Sequence, residues 1–566
     1  MGAVSVATLN IYNLATVLRG TPVGGLFGLW YGSLNSPSQI LPWLGYYTND
    51  YNMQLPVMPV WRVNHPELAD GTFRTLLMQL PEAKRNARKL YDMPGAYYPL
   101  STDPTGADVT DGPYRLCQNS GPWWCLLLWW HYLYTRDVGY LREVAYPILR
   151  GVSEFFSHYM QWHPEEGRYH LEISQQPELM YISYPDPSDT LAVVKYALDA
   201  TIQAARTLKC DGPLAEKCRH VLDHFPDYPR QGDQLLCHPG VRPDHDNLYT
   251  LRGLYQCAEL DPEIAPEWEK ICVAEVKKDD FWYGATYACH QGKMVNWTGA
   301  VHYIGMPACW LGMKAMAWQY LTNLLKTNVK PNGLISHNGS ILANSERTEK
   351  NIERIPDVSL YHSYGTEPLK AAELLNGRRG ESTTENLDCR DTMVPALEGP
   401  ADYLHLLGEM LLQSHNGILR LFAGLPDDQD AEFHDLRAEG PTLVSASRKN
   451  GKVKFIRLKA LVPVSWKLKS PWPGKAVLIQ SSRSKAIVTE TADKFLLLKL
   501  AKGEEVILAQ QKANLNFASL LHPRTGEPAQ ARSITFEDGI CVWLGKPTHS
   551  VYYASLEGAR KGTGHL

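Results

Sequence analysis

The sequence has no CxxC pair, no HExxH, no phosphate-binding glycine loop, no GxGxxG and no GxSxG. Zinc, nucleotide, dinucleotide and serine-hydrolase chemistry therefore lose their usual sequence support, and neither a metal nor a cofactor is expected. No apolar run reaches membrane-spanning length; "WWCLLLWWHYLY", residues 123–134, is too short. Basic charge is not in excess: 56 Lys and Arg stand against 60 Asp and Glu, a net charge of -4. Neither nucleic acid nor an anionic membrane has an electrostatic footprint here, and a neutral partner is expected. The opening "MGAVSVATLNIYNLATVLRG" lacks a basic n-region and a clear cleavage site, so no secretory signal is expected and the compartment stays open. The eleven cysteines are an odd set, read as buried thiols.

What is present is length, aromatic surface and a switch of periodicity. A chain of 566 residues is long for one ordinary core. Its 16 Trp and 30 Tyr offer flat apolar faces with polar tips, suited both to cores and to sugar rings. Apolar spacing of three and four predicts helices over 80–91, 121–135, 138–161, 188–208, 213–224, 246–259, 298–328, 366–377 and 400–414. So many apolar faces exceed what one bundle core can serve, which points to a helical toroid. After "LPDDQDAE" the pattern becomes short alternating runs, with Asn450-Gly451 as a hairpin signal. The expected division is a helical domain over 1–428 and a β domain over 429–566.

Candidate chemistry sits in polar residues with apolar neighbours. "WLGYYTNDYNMQLPVMPVW", residues 43–61, places Asn49, Asp50, Asn52 and Gln54 among side chains destined for burial, where each needs a partner. Glu178 follows Pro177 in the loop of "YHLEISQQPELMYISYPDPSDT", just ahead of a helix beginning near Asp189. Glu398 lies just ahead of the helix in "LEGPADYLHLLGEMLLQSH". Taken singly, Asp189 and Glu398 read as helix caps or dipole partners. In a toroid, however, loop-to-helix entries can open onto one end and let distant acids meet.

The chain resembles glycoside hydrolase family 95, a family of inverting α-L-fucosidases and α-L-galactosidases, as a divergent member. The resemblance is carried by "GLFGLWYG" with "TNDYN", by "WWHYLYTRDVGYLREVAYPILRGVSEFF", by "ISQQPE" and by "LEGPADYLHLLGEMLLQSHNGILRLFAGLP". It starts near residue 8, without the family's N-terminal β-sandwich, so a shortened or truncated member is expected. It implies a mainly α fold, an (α/α)6 toroid (six-hairpin glycosidase) followed by a C-terminal β-sandwich, and an oligo- or polysaccharide substrate. On this resemblance Glu178 falls on the general acid. Asp50 and Asn52 fall on the asparagine pair that orients the attacking water, and Glu398 on the aspartate that polarises the pair. Asn64, His65, Tyr98, Asn119 and Trp123 are candidate pocket residues; core packing is as good an account of the aromatic ones.

Departures bear on the sugar. Family fucosidases carry His-Thr-Asn-Ile-Asn where this chain has Thr48-Asn49-Asp50-Tyr51-Asn52, and a histidine where it has Thr392. His245 is the nearest counterpart to a further histidine region. Those histidines grip fucose hydroxyls, so reaction class is better specified than sugar, and Asp50 is itself a candidate base. Three functions stay open: an inverting hydrolase of an α-linked terminal sugar, a catalytically silent glycan binder, and a lyase on the same toroid.

Overall fold

The computed structural model describes residues 2–25, 46–110, 112–175, 183–240, 250–259, 261–283, 295–297, 299–329, 335, 338–340, 397–484, 487–490, 494–510, 533–535 and 541–543. Helices dominate up to Leu411 and strands dominate after it. The principal helices are α1 (Gly2–Val17), α2 (Asp70–Tyr91), α3 (Ser120–Thr135), α4 (Tyr146–Tyr159), α5 (Ser188–Leu208), α6 (Gly212–Asp223), α7 (Arg252–Gln256), α8 (Pro266–Tyr283), α9 (Met306–Trp310), α10 (Lys314–Thr327) and α11 (Glu398–Leu411). None among the described residues is long and apolar enough to cross a membrane.

Packing runs from α2 to α4, α5, α7, α9 and α11, and α11 lies against α1. The chain just after α1 then meets the start of α2 so closely that a Cβ on Gly71 would lie 2.4 Å from the Gly20 carbonyl oxygen. The succession thus closes on itself as a toroid. Helix α3 is buried nearly all round, including Trp123, Trp124 and Leu126 to Leu128, as expected of a helix apolar on every face.

Several helix limits differ from the periodicity. Helix α2 begins ten residues before 80 and runs through Pro81, because Phe73, Leu76, Leu80, Ala83 and Ala87 form one buried stripe across it; packing offsets the missing hydrogen bond. The segments 138–161 and 298–328 are each interrupted. In both, a π-turn (Leu141–Ala145, Val301–Gly305) precedes a proline, Pro147 or Pro307, in the next helix. A wider turn removes the clash and the orphaned carbonyl that proline imposes. Gly312, at φ 71°, then separates α9 from α10. Of 246–259, the described helix is α7, ended by Ala258 at φ 62°. Residues 366–377 lie outside the described residues.

The strands of the two larger sheets are β1 (Leu412–Gln413), β2 (Ile418–Leu421), β3 (Ala431–Ala438), β4 (Thr442–Lys449), β5 (Lys452–Ala460), β6 (Val464–Lys469), β7 (Ala476–Ser481), β8 (Ile487–Glu490), β9 (Phe495–Leu500) and β10 (Glu505–Gln510). They form a four-stranded sheet, β9-β6-β2-β1, and a six-stranded sheet, β3-β4-β5-β10-β7-β8. Trp466 and Leu468 alternate with exposed lysines on β6, and the Trp466 indole donates to Thr442 Oγ1 on the other sheet at 2.9 Å. The sheets are thus the layers of a sandwich. Asn450 and Gly451, at φ 51° and 67°, make the two-residue hairpin between β4 and β5, with Lys449 opposite Lys452. Strand β2 pairs with β6, so sheet hydrogen bonding reaches back across residue 428, where the sequence divides the domains. Cys117, Cys125, Cys210, Cys218, Cys237, Cys257, Cys272 and Cys309 are free thiols, all buried except Cys210.

Candidate functional site

The polar stretch near residue 50 splits into scaffold and site. Asn49 Nδ2 donates to the Pro99 carbonyl and to Thr102 Oγ1, each at 3.1 Å, and its Oδ1 accepts from the Trp124 indole at 3.2 Å. Gln54 Nε2 donates to the Asn49 carbonyl. These two side chains brace the irregular backbone, while Asp50 and Asn52 reach elsewhere.

Asn52 Nδ2 donates to Glu398 Oε1 in the first turn of α11, joining residues 346 apart. Asp50 Oδ1 accepts from Arg252 Nη2 at 3.0 Å. Arg252 also donates from Nε and Nη2 to the two oxygens of Asp189, at 2.9 and 2.6 Å, a forked arrangement that fixes both groups. Asn119 Nδ2 adds a bond to Asp189 Oδ2 at 2.9 Å. Asp189, Asn119 and Arg252 are fully enclosed, at 0 %, 0 % and 1 % exposure. Burial opposes the Arg252 charge, but the carboxylates of Asp189 and Asp50 more than offset it and hold the guanidinium protonated.

Tyr51, between the two polar arms, is a spacer. Arg252 lies 4.4 Å above its ring and 5.2 Å from that of Trp123, and the Tyr51 and Trp123 rings are 5.0 Å apart. His302 meets the Tyr51 ring edge-on at 5.2 Å and pairs through Nδ1 with Asp402 Oδ1 at 2.9 Å. Glu398 and Asp402 stand four apart on α11 and so share one face. Burial, reinforced by the Tyr255 and Tyr303 hydroxyls, raises the Tyr51 phenol well above its ordinary range and keeps it neutral.

Asp50, Asn52, Glu398, Asn119 and Trp123 thus gather into one cluster. Tyr98 does not join it: its hydroxyl donates to the Leu76 carbonyl at 2.9 Å in the core. Asn64 accepts from Arg437 of β3 at 2.8 Å, and His65 pairs with Glu67 at the surface, so both serve the seam between helices and sandwich or its rim. Glu178 and His245 lie outside the described residues. Sequence reasoning missed Arg252, His302 and Asp402; for Arg252 the available signal was a single cation inside the apolar "LYTLRGLY". Asp189, which reads from sequence as a cap, is instead the anchor of Arg252.

The glycosyl hydrolase family 95 catalytic domain matches residues 18–268. Residues 18–268 of this chain are thus similar to the catalytic domain of glycoside hydrolase family 95. That match contains Asp50, Asn52, Asn119, Asp189 and Arg252, and Glu398 lies beyond it. Alpha-L-fucosidase 2 of Arabidopsis thaliana is 24% identical over 281 residues, 46% of this chain and 32% of that protein. The match therefore spans about a third of the length of that curated relative. Among solved structures, a putative kojibiose phosphorylase from human microbiome is 11% identical, covers 88% of this chain and 61% of its own, and has a TM-score of 0.45. An alpha-L-rhamnosidase from Dictyoglumus thermophilum is 11% identical, with coverage of 81% and 46% and a TM-score of 0.41. At these TM-scores the likenesses are too loose to fix the fold.

Proposed function

We propose that the chain is an inverting glycoside hydrolase that removes an α-linked terminal sugar, α-L-fucoside- or α-L-galactoside-like, from an oligo- or polysaccharide. The observation that carries this reading is the Asn52–Glu398 hydrogen bond. An amide that donates to a carboxylate becomes a better acceptor at its oxygen, so Asn52 Oδ1 can orient a water and draw on its proton as the water attacks the anomeric carbon. Glu398 is the carboxylate behind that water. Asp50, bonded to Arg252, stands beside Asn52 in the same segment and fixes its approach. Glu178 is the general acid that protonates the leaving oxygen; inversion needs the acid and base carboxyls about 6.5–9.5 Å apart, with room for water between them.

In this scheme the Asp189–Arg252–Asp50 bridge serves preorganisation. It holds the Asp50–Asn52 segment so that no reorganisation is needed when charge develops at the anomeric centre. The division into helical body and sandwich near residue 428 is part of the same proposal: the toroid carries the chemistry.

The test is sugar release from a panel of aryl α- and β-glycosides and native glycans, with the product anomer followed by NMR. Inverted product from the unaltered chain, abolished in Glu178→Gln with binding retained, is expected. Retained configuration, unsaturated product, or equal turnover by Glu178→Gln overturns the reading. Stoichiometric sugar binding without turnover by the unaltered chain assigns it to glycan binding instead.

A further inference from the structure

A second polar cluster lies on the hairpin of Gln161–His163 and Arg168–His170. His163 is opposite Arg168 and Gln161 is opposite His170, so His163 and His170 are diagonal neighbours on one face. Their rings are 4.8 Å apart. Glu166, in the intervening turn, folds back between them: its Oε1 is 3.8 Å from His163 Nδ1 and its Oε2 3.2 Å from His170 Nε2.

Each imidazole is held through its other nitrogen by a different carboxylate. His163 Nε2 meets Glu172 Oε1 at 2.9 Å, and His170 Nδ1 meets Asp186 Oδ2 at 2.6 Å. Asp186 is itself fixed, since its Oδ1 accepts from the Leu171 N–H at 2.8 Å. His170 Nε2 is buried, and its 3.2 Å approach to Glu166 Oε2 does not have hydrogen-bond geometry. The two ring nitrogens left to converge, with the Glu166 carboxylate, have ligand atoms all within 4.8 Å of one another.

We propose that His163, Glu166 and His170 bind a divalent transition ion of the zinc class, with Glu172 and Asp186 orienting the two imidazoles. Two nitrogens and one carboxylate oxygen are a donor set zinc accepts, and a water completes a tetrahedron. Zinc–ligand bonds of about 2.0–2.2 Å require donors closer together than the 4.8 Å within which these three lie, a closure that side-chain rotation of the exposed Glu166 and the partly exposed His163 supplies. A carboxylate behind each ligating histidine fixes its tautomer and raises its basicity. The ion would tie the hairpin turn to Asp186 and so clamp both ends of residues 171–186, already joined by the Asp186 N–H donating to the Leu171 carbonyl at 2.9 Å.

The experiment uses the full chain, stripped with chelator and then titrated with Zn2+ by calorimetry and with Co2+ as a visible-absorbing substitute. One ion per chain at micromolar or tighter Kd, a tetrahedral cobalt band and a higher Tm are expected. His163→Ala and His170→Ala should abolish that band. Asp186→Asn should weaken binding about 10–100-fold. Glu166→Gln, on an exposed turn, tests the third ligand without risk to folding and should also weaken it. No saturable binding, or binding that survives His170→Ala and Glu166→Gln unchanged, overturns the proposal.

Discussion

Two buried arginines organise this molecule, and they do so differently. Arg62 lies where the helices meet the sandwich. It pairs through Nη2 with Glu409 at 2.7 Å, and its Nη1 donates to neutral acceptors, Ser414 Oγ at 3.3 Å and the Arg437 carbonyl at 2.9 Å, while its buried Nε has no hydrogen-bond partner. A second acid near it, Glu439, is pushed up to about 7 by burial, against the pull of Arg62. Arg252 instead bonds to two carboxylates, Asp189 and Asp50, with aromatic faces filling the rest of its surroundings. The seam matches one cation with one hydrogen-bonded carboxylate, which is how a buried charge is made tolerable. The site holds two acids on one cation, an excess of negative charge that a core alone would not call for.

Substitutions can break that contrast. The largest effect expected is on catalysis: Glu398→Gln should lower turnover about 10²–10⁴-fold while Tm barely moves. A melting temperature that collapsed instead would make Glu398 a structural acid like Glu409. Glu409→Gln should do the reverse, costing about 3–5 kcal/mol in denaturant unfolding by leaving Arg62 unpaired, with turnover per folded molecule retained. Asp189→Asn should be intermediate, since Arg252 keeps Asp50: a loss of about 1–3 kcal/mol together with reduced turnover, measured on the same preparations. The narrowest is a pH effect at Glu439. Its carboxyl binds its proton more tightly when folded, so stability falls as pH rises from its ordinary value of 4.5 to about 7. Glu439→Gln should flatten that segment of the Tm–pH curve; an unchanged slope would place the titration elsewhere.

Local signals carried much of the fold. The Asn450-Gly451 turn was legible because its two positive φ angles select those residues. Helix α3 was legible because its apolar residues leave no solvent face. The start of α2 was not, because Pro81 reads locally as a first-turn residue and only the packed stripe overrides it. The site divides the same way. Asp50 and Asn52 stood out as polar groups in an apolar run, and Glu398 through resemblance. Arg252 and Asp189 did not, because a lone Arg and a helix-entry Asp are ordinary until three-dimensional pairing joins them. The hairpin histidines were silent for a related reason: their partner acids Glu172 and Asp186 arrive only when the chain returns.

The contact of α1 with α11, and of Asn52 with Glu398, has a temporal side. A ribosome that has just released Asn52 must add 346 further residues before its partner exists, about 20–70 s at ordinary synthesis rates. Over that interval the first helices carry apolar flanks whose permanent neighbour has not yet been made. On the proposed function, the nascent chain lacks its water-activating carboxylate and stays open to chaperones or to self-association until α11 emerges, with the strands of the sandwich still to follow.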